Sequence, residues 1–343
     1  MEIHPNYPLS QLTTFRIGGL ASFFVEVSNE DELAEALKFA QEKKKEIFVL
    51  GGGSNILISD KGFDGLVIYN KISGLKIEDN GMVTVNAGEN WDDVVARAVE
   101  KDLAGIECLS GVPGSAGGAV VQNIGAYGQT LGENILEVYV VSASSGERKT
   151  FSREACKFSY RSSFFKKTPG QYVVVGFMLK LMPDGIPNTA YAHVKKHFEN
   201  KPTPTLSDLR QFIIKIRASK GYLIMPGYER YNTAGSFFKN PIVSLEQFER
   251  LKPILGEADL NRYWTMPSGV KIAAAFLLER AGFQKGYRSG NVGISPKHSL
   301  SVVNFENASA KEIKSLVDQI RNVVLEKFGV ALEEEVLYVG DFI

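Results

Sequence analysis

The spacing of apolar residues divides the first seventy positions into a β-α-β-β unit. Residues 21–27 alternate between apolar and polar side chains and are rich in β-forming types. A polar start at 28–31 precedes a helix whose apolar positions recur at helical spacing, namely Leu33, Ala34, Leu37 and Ala40. Short apolar runs at 46–50 and 65–69 predict two further strands.

The same patterns predict elements along the rest of the chain. Strands are predicted at 82–87, 172–181, 302–303 and 331–339, with a hairpin over 135–152 that turns at 144–146. Helices are predicted at 90–103, 206–218, 271–281 and 309–328, and a further helix begins at Ser244. Proline and glycine residues place a domain boundary near 185–220.

A glycine-rich loop follows the predicted strand at 46–50. It consists of Gly51, Gly52, Gly53, Ser54 and Asn55 and leads into the apolar residues 56–58. Glycine allows a tight turn and close approach to a ligand, and consecutive exposed N–H groups bind anions. The loop lacks the lysine of a Walker loop, and it lacks the third glycine and following helix of the dinucleotide fingerprint. We therefore expect a phosphate or pyrophosphate site of another kind; a plain turn between strands is the alternative.

A second glycine-rich stretch covers residues 111–128. Its glycines are interspersed with Ser, Gln, Asn and Tyr. So much flexible backbone predicts a main-chain wall that lies closely along a flat ligand. A loop with only a structural role is the alternative.

Composition narrows the class of protein. The 343 residues carry 39 basic and 39 acidic side chains, so no global field attracts nucleic acid. We see no signal peptide and no apolar run long enough to span a membrane. The two cysteines, Cys108 and Cys156, are too few for a disulfide framework, so we expect reduced core thiols in a reducing cytoplasm.

Two residues outside the glycine stretches are candidates for chemistry. Arg161 lies between Tyr160 and Ser162, where its guanidinium could clamp a carboxylate through two hydrogen bonds or form a structural ion pair. Ser236 follows a glycine and precedes two aromatic residues, so its hydroxyl could protonate a developing carbanion or simply occupy a turn. Lys239 is the candidate cation that would stabilise the serine alkoxide.

The acidic triplet 333–335 lies on the last predicted strand. Because strand side chains alternate between faces, one carboxylate must point where apolar residues point. A partly buried carboxylate is a candidate acid, whereas a solvated acidic strand end is the alternative. The alternation does not choose between Glu334 and Glu335.

The four histidines do not predict a metal site. His193 and His197 are four positions apart and would share a helix face, but no third ligand lies near them in the sequence. There is also no Gly-x-Ser-x-Gly elbow, so a hydrolase of that class has no support.

Eight short motifs, taken in order, resemble the UDP-N-acetylenolpyruvoylglucosamine reductase family over nearly the whole chain. Each motif is weak alone, but the ordered set is specific. They are TTFRIGG at 13–19, GGGSNIL at 51–57, GENW at 88–91, GVPGS at 111–115, QNIGAYG at 122–128, YRSS at 160–163, GSFFKNP at 235–241 and LEEEV at 332–336.

The resemblance implies an α+β fold, in which an FAD-binding domain of the vanillyl-alcohol-oxidase (PCMH) type is joined to a smaller α/β substrate domain. The implied units are two FAD-binding subdomains at 1–70 and 71–205, with 329–343 contributing to the second, and a substrate domain at 206–328. The implied activity is that of an oxidoreductase in bacterial peptidoglycan synthesis. NADPH reduces FAD, and the flavin passes hydride to UDP-N-acetylglucosamine enolpyruvate, which yields UDP-N-acetylmuramate.

The motif matches imply roles for individual residues of this chain. Arg161 matches the arginine that supports the substrate carboxyl, Ser236 the serine that donates the proton, and Glu335 the active-site glutamate. Substrate contacts are implied at Tyr191, on a loop over 185–205, and at Lys220, Asn240 and His298. FAD contacts are expected at Gly51, Gly52, Gly53, Ser54, Asn55, Gly111, Pro113, Gly114, Ser115, Gly117, Gly118, Asn123, Gly125 and Tyr127.

The chain departs from the family pattern on the diphosphate side of the expected site. Residues 221–231 are longer than the usual linker, Leu337 replaces a common basic residue, and His298 stands where many members have glutamine.

Two other functions explain part of the pattern, namely a different FAD-dependent oxidase and a non-catalytic nucleotide-sugar binder. The expected partner is a small nucleotide sugar; we expect no nucleic acid, no membrane association and a cytoplasmic monomer.

Overall fold

The first unit is a four-stranded sheet with one helix packed on it. The computed structural model describes residues 1–255 and 262–342 and orders this sheet β1-β2-β5-β3. Strand β5 is parallel to both neighbours, and β1 is antiparallel to β2. The elements are β1 (His4–Pro8), β2 (Leu20–Val27), α1 (Glu30–Glu42), β3 (Glu46–Leu50), β4 (Ile56–Ile58), which lies outside the sheet, and β5 (Phe63–Asn70).

The second unit is a five-stranded antiparallel sheet of order β12-β11-β13-β7-β6. Its face shares one apolar cluster with the first sheet and α1, since Val173 and Val175 pack with Val25 and Leu37. The elements are β6 (Leu75–Ile77), β7 (Met82–Asn86), α2 (Trp91–Glu100), β8 (Leu103–Ala104), α3 (Ala116–Gln122), β9 (Gly125–Ala126), β10 (Gln129–Thr130), β11 (Ile135–Ser142), β12 (Arg148–Ser152), α4 (Phe164–Lys167), β13 (Tyr172–Lys180), β14 (Met182–Pro183), α5 (Ala192–Phe198) and α6 (Leu206–Ser219).

The third unit packs helices against two small antiparallel sheets. Their orders are β15-β17-β16 and β18-β19-β20. Its large core also includes Phe15 and Leu57 of the first unit, so one apolar core extends through both units. The elements are β15 (Ile242–Val243), α7 (Leu245–Leu255), β16 (Tyr263–Met266), β17 (Gly269–Ile272), α8 (Ala274–Ala281), β18 (Arg288–Ser289), β19 (Val292–Ile294), β20 (Val302–Asn304), α9 (Ala310–Phe328) and β21 (Leu337–Val339).

The last part of the chain returns to the first unit. Strand β21 pairs in parallel with β4, and the Leu337 amide donates to the Asn55 carbonyl at 3.0 Å. Just before it, residues 333–335 exchange main-chain hydrogen bonds with 237–239: the Lys239 amide donates to Glu333 and the Glu335 amide to Phe237, each at 2.8 Å. Segment 333–337 therefore connects the first glycine loop with the residues around Ser236.

Most elements predicted from periodicity are present with small changes at their ends. The helix predicted after 28–31 is α1, and the Asn29 side chain caps it by accepting from the Glu32 amide at 2.9 Å. Its buried face contains Ala36 where the sequence pattern indicated Ala34, which is exposed. The hairpin over 135–152 forms as β11 and β12, and the capping box at Ser309 and Glu312 forms on both sides.

Three sequence-based expectations about local structure were wrong. The helix predicted at 271–281 begins only at Ala274, because Lys271 and Ile272 belong to β17. The strand predicted at 331–339 is regular only over Leu337–Val339, since its earlier residues pair with the isolated segment 237–239. The glycine wall at 111–128 contains the unpredicted helix α3, which begins at Ala116 and is capped by Ser115, whose side chain accepts from the Gly118 amide at 3.2 Å.

A carboxylate from the first unit caps the longest helix of the third. Asp60 accepts hydrogen bonds from the amides of Ala310 at 2.7 Å and Lys311 at 3.0 Å, and Ser309 Oγ accepts from the Glu312 amide. The first three amides of α9, which have no partner within the helix, are therefore all satisfied. A negative charge at a helix N-terminus also interacts favourably with the helix dipole.

We expect Asp60→Ala to lower the free energy of unfolding by about 1 kcal/mol, the usual cost of losing an N-cap. Urea denaturation measures the change. Asp79→Ala is the matched control, because Asp79 is exposed in a turn and should change the value by less than about 0.5 kcal/mol. Equal effects of the two substitutions would contradict the cap.

Candidate functional site

One cavity of about 480 Å³ lies where the three units meet. The first unit contributes the loop 51–55, and the second contributes residues from 112–126 together with Arg161 and Lys166. The third contributes 233–236, Asn240 and Leu300, and the returning segment contributes Glu335. The cavity therefore brings the first glycine loop together with all three residues expected to carry the chemistry.

Beside this cavity, the backbones of the two glycine stretches lie in close contact. A Cβ on Gly52 would lie 2.5 Å from Gly114 Cα, and one on Gly51 would lie 2.3 Å from Ser115 Oγ. Gly53 has a φ of +61°, and a Cβ there would lie 2.0 Å from the Leu12 carbonyl oxygen. A side chain at Gly52 would force the two loops apart, one at Gly51 would displace the Ser115 hydroxyl, and one at Gly53 would move the first loop away from Leu12.

Polar side chains fix the two loops in this arrangement. Ser54 Oγ donates to the Pro113 carbonyl at 3.1 Å, and Asn55 Nδ2 donates to the Glu335 carbonyl at 3.2 Å. Gly117 and Gly118, in the first turn of α3, also line the cavity. The result is a rigid cradle with main chain on two sides, which suits an elongated anionic ligand.

The Glu335 side chain is held by two neighbours at the edge of the cavity. Gln122 Nε2 donates to Glu335 Oε1 at 2.9 Å, and Arg161 Nε lies 2.8 Å from the same oxygen. The Arg161 Nε–H bond is not directed at that oxygen, so the contact is an ion pair without a hydrogen bond. Both contacts use Oε1, and the buried Nε–H is a donor available to a ligand.

The turn that carries Arg161 is tightly defined. Arg161 has a φ of +54°, which is uncommon for a residue with a side chain. Main-chain hydrogen bonds between Ser159 and Ser162 close the turn, and Asn123 Nδ2 donates to the Ser159 carbonyl at 2.8 Å. Arg161 Nη2 then donates to the Gly125 carbonyl at 2.6 Å, which orients the guanidinium towards Glu335.

Lys166 adds a second partly buried cation beside this group. Its Nζ donates to Gln122 Oε1 at 2.7 Å, so it fixes the amide that in turn donates to Glu335. Burial lowers the pKa of Lys166, and the nearby charge of Lys239 acts in the same direction. Sequence reasoning missed Lys166 and Gln122 as site residues, although Gln122 opens a motif and Lys166 follows Arg161 by five positions.

The partner of Ser236 differs from the sequence-based expectation. Lys239 forms an ion pair with Glu333. Instead, Ser236 Oγ lies 3.0 Å from the hydroxyl of Tyr222, which also contacts His298 Nδ1 at 2.6 Å. No sequence signal indicated Tyr222, because it lies in the stretch 221–231 that departs from the family pattern.

Burial determines the protonation states of Tyr222 and His298. It lowers the pKa of His298 to about 3, with smaller contributions from the charges of Lys220 and Lys285, so the ring is neutral at pH 7. Burial also raises the pKa of Tyr222 to about 12, so its hydroxyl keeps its proton. Ser236 is therefore in contact with a neutral phenol.

Three expected cofactor residues lie behind the cavity wall. The Gly111 carbonyl accepts from Arg217 Nε at 2.8 Å, and Asn123 supports the turn of Arg161. Tyr127 is buried, and its ring packs edge-on against Tyr191 with 5.5 Å between centroids. None of the three lines the cavity, so their expected contacts with FAD stay predictions.

The expected substrate residues occupy three different places. Tyr191 and Lys220 both pack on Tyr127, with Lys220 Nζ 5.8 Å from the centroid of its ring. Asn240 lines the cavity, and its Oδ1 accepts from the Ala274 amide at the start of α8 at 2.9 Å. His298 lies behind Tyr222, away from the cavity lining, and its role as a substrate contact stays a prediction.

Comparison with known proteins assigns the chain to a family. Residues 21–152 match the model of an FAD binding domain, and 227–339 match the C-terminal domain of UDP-N-acetylenolpyruvoylglucosamine reductase. The reductase of that name from Streptomyces coelicolor is 38% identical, with 99% of this chain and 90% of the relative aligned. Its counterpart from Flavobacterium johnsoniae is 36% identical over 98% of this chain and 99% of the relative. The chain belongs to the UDP-N-acetylenolpyruvoylglucosamine reductase family.

A solved structure of the same family supports the assignment. The crystal structure of the reductase from Thermus caldophilus superposes with a TM-score of 0.67 at 25% identity, covering 98% of both chains. The resemblance stated from the motifs is thus confirmed, as are the α+β fold class with its PCMH-type FAD-binding domain and the expectation of an FAD-dependent oxidoreductase. Among the described residues, no helix combines the length and the apolarity needed to cross a bilayer.

The residues of the cavity fit FAD. The cradle formed by 51–55 and 113–118 lines the cavity with glycine-rich main chain, and exposed N–H groups of such main chain suit a pyrophosphate. Arg161, Lys166 and Glu335 line the same cavity and supply charged groups beside it. When bound there, FAD would supply the hydride chemistry, which no amino-acid side chain provides.

We expect Gly53→Ala to weaken FAD binding about tenfold or more, which corresponds to about 1.4 kcal/mol. The added Cβ would collide with the Leu12 carbonyl, so the loop would have to move. Flavin fluorescence titration of the apoprotein measures the dissociation constant. Gly146→Ala is the matched control, since Gly146 also has a positive φ but no heavy atom within 4 Å of an added Cβ. Equal losses of affinity would contradict the importance of the close approach.

We expect acid destabilisation from the buried His298. Between its ordinary pKa of 6.5 and its folded value of about 3, the unfolded chain binds a proton that the folded protein does not. The free energy of unfolding therefore falls as the pH drops through this window, by about 2 kcal/mol at pH 5. His298→Gln should show a smaller drop in Tm between pH 7 and pH 5, whereas His4→Gln, at an exposed position, should follow the wild type. A curve for His298→Gln that is parallel to the wild type would exclude this contribution.

Proposed function

We propose that this protein reduces the enolpyruvyl double bond of UDP-N-acetylglucosamine enolpyruvate to give UDP-N-acetylmuramate for peptidoglycan synthesis, with bound FAD and NADPH as the reductant. The observation that carries the proposal is the shared cavity, in which Arg161, Ser236 and Glu335 surround one space with the glycine cradle. The names of the relatives that align over nearly the full chain support the same substrate.

In this proposal Arg161 acts on the substrate carboxylate. Addition of hydride to one alkene carbon places negative charge on the other carbon and on the adjacent carboxylate. A fixed guanidinium with an unpaired buried N–H stabilises that charge without having to reorganise. Its hydrogen bond to Gly125 and the turn closed by Ser159 and Ser162 fix the position of the guanidinium before the substrate binds.

Ser236 then supplies the proton. Ser236 lines the cavity together with other residues of the third unit, and Arg161 lines the same cavity. A positioned general acid typically contributes 10²–10⁴-fold to such a step. Glu335, held by Gln122 and Arg161, is the proposed third catalytic group and adjusts the charge around the reacting carboxylate.

The nucleotide part of the substrate is assigned to the other side of Ser236. Tyr191, Lys220 and Asn240 are the proposed contacts, with His298 as a further one. Burial lowers the pKa of Lys220, and a diphosphate would restore the favourable environment for its charge. We also propose a cytoplasmic monomer that has no nucleic-acid partner, in line with the balanced charge and two buried free thiols.

The competing functions differ in which half-reaction they allow. A different FAD-dependent oxidase would hold flavin but would not transfer hydride to the enolpyruvyl nucleotide. A non-catalytic nucleotide-sugar binder would show no oxidation of NADPH on addition of that substrate. Anaerobic stopped-flow spectroscopy of the purified flavoprotein separates them, because flavin bleaching reports reduction by NADPH and recovery of colour reports reoxidation by the substrate. A protein that cannot be loaded with FAD would overturn the proposal.

We expect Ser236→Ala to slow flavin reoxidation by the enolpyruvyl nucleotide by about 10²-fold or more, because the proton donor is lost. Reduction by NADPH should keep its wild-type rate. Ser207→Ala is the matched control, since Ser207 is exposed on α6, and it should leave both half-reactions unchanged. If the Ser236 variant reoxidises at the wild-type rate, Ser236 is not the acid.

A further inference from the structure

Tyr222 links Ser236 to His298 through two hydrogen bonds. The Tyr222 hydroxyl lies 3.0 Å from Ser236 Oγ and 2.6 Å from His298 Nδ1. The backbone around Tyr222 is anchored to the end of α6, because its amide donates to the Arg217 carbonyl at 3.0 Å. The chain of three polar groups therefore has a fixed centre.

The acceptor nitrogen of His298 determines which group donates in each of these hydrogen bonds. The Leu300 amide donates to His298 Nδ1 at 3.2 Å, so that nitrogen is an acceptor and the ring proton is on Nε2. The short contact from Tyr222 must then be donated by the phenol. With its own proton committed to His298, Tyr222 accepts from Ser236, and its oxygen can also accept from the nearby hydroxyl of Ser301. The resting serine therefore holds its proton towards Tyr222 and presents lone pairs elsewhere.

Release of the serine proton changes what Tyr222 can do. Once Ser236 has protonated the substrate, its oxygen is an alkoxide and a much stronger acceptor than a neutral imidazole nitrogen. The Tyr222 hydroxyl can turn to that alkoxide without leaving His298 Nδ1 unsatisfied, because the Leu300 amide still donates to it. A phenol is also a stronger acid than an aliphatic alcohol, so the proton moves from Tyr222 to Ser236.

We propose that Tyr222 is a positioning residue for the acid step, which holds the Ser236 hydroxyl in place and returns a proton to it. The inference rests on the proposed function, in which Ser236 is the acid. In the first transfer the Ser236 hydroxyl turns from Tyr222 to the substrate, its Oγ–H bond breaks, and a C–H bond forms with the electron pair of the enolate-like intermediate. In the second, the Tyr222 O–H bond breaks and the Ser236 O–H bond forms again, after which the phenolate takes a proton from water.

The test is a double-mutant cycle of Tyr222→Phe with Ser236→Ala, measured by single-turnover reoxidation of the reduced holoenzyme with the enolpyruvyl nucleotide. The phenylalanine keeps the ring and removes only the hydroxyl. We expect Tyr222→Phe alone to slow reoxidation about tenfold to a hundredfold, while reduction by NADPH stays unchanged. In the Ser236→Ala background the same change should have no further effect, because Tyr222 acts through Ser236.

The outcomes separate this inference from the proposed function. An unchanged rate in Tyr222→Phe, or an equal slowing with and without Ser236, would overturn the inference while leaving Ser236 as the acid. A wild-type rate in Ser236→Ala would overturn the acid assignment and this inference with it. Tyr228→Phe is the matched control for the loss of a phenol, since Tyr228 is exposed in the same stretch and should not change the rate.

A second measurement needs neither flavin nor substrate. In apoprotein labelled with ¹⁵N-histidine, loss of the donor from Tyr222 should shift the Nδ1 resonance of His298, which His298→Gln identifies by its disappearance. The shift should be present in Tyr222→Phe and absent in Tyr228→Phe. An unshifted resonance would show that the phenol does not donate to His298 and would overturn the proton order on which the inference depends.

Discussion

The main-chain hydrogen bonds of segment 333–337 hold the cavity together. At one end the Leu337 amide bonds to Asn55 of the glycine loop, and at the other the Glu335 amide bonds to Phe237 beside Ser236. The segment thus fixes the distance between the cradle and the serine with backbone groups alone. Side chains can differ around such a frame, whereas a break in it would separate the cradle from the residues proposed to carry out the chemistry.

The charged side chains beside the cavity form hydrogen bonds and ion pairs with neighbouring side chains. Arg161, Lys166, Gln122 and Glu335 form a connected group in which each side chain contacts at least one other. Unlike an exposed ion pair, which is worth little, a buried group of this kind keeps its geometry before a ligand arrives. The cost of desolvating these charges is offset by mutual pairing, and the remaining buried N–H of Arg161 is left for a ligand.

Sequence alone predicted much of this arrangement, and the reasons are local. Helix α9 was predictable because Ser309, Glu312 and a regular apolar face are all encoded within twenty residues. The glycine loop was predicted as an anion site because consecutive glycines allow a tight turn with exposed N–H groups, and that role stays a prediction. Arg161, Ser236 and Glu335 were assigned through motifs, and only the motif chose Glu335 over Glu334.

What the sequence did not predict depends on contacts between distant residues. The pairing of 237–239 with 333–335 turned a predicted strand into a single regular stretch of three residues, and no periodicity reports such a partner. Lys239 was the nearest cation to Ser236 in sequence, yet it pairs with Glu333, while Tyr222 reaches the serine from fourteen positions away. Hydrogen bonds to a hydroxyl are short and directional, so they are set by the final fold rather than by spacing along the chain.

The pairing of β21 with β4 also governs when the site can form. Asn55 and Glu335 are 280 positions apart, so contacts that complete the cradle join segments that are synthesised at widely separated times. Closing so long a loop is slow compared with forming local helices and hairpins. During synthesis on the ribosome the glycine loop must therefore wait, without its neighbouring strand, until residues 337–339 have been made, and tight binding of the cofactor becomes possible only after that point.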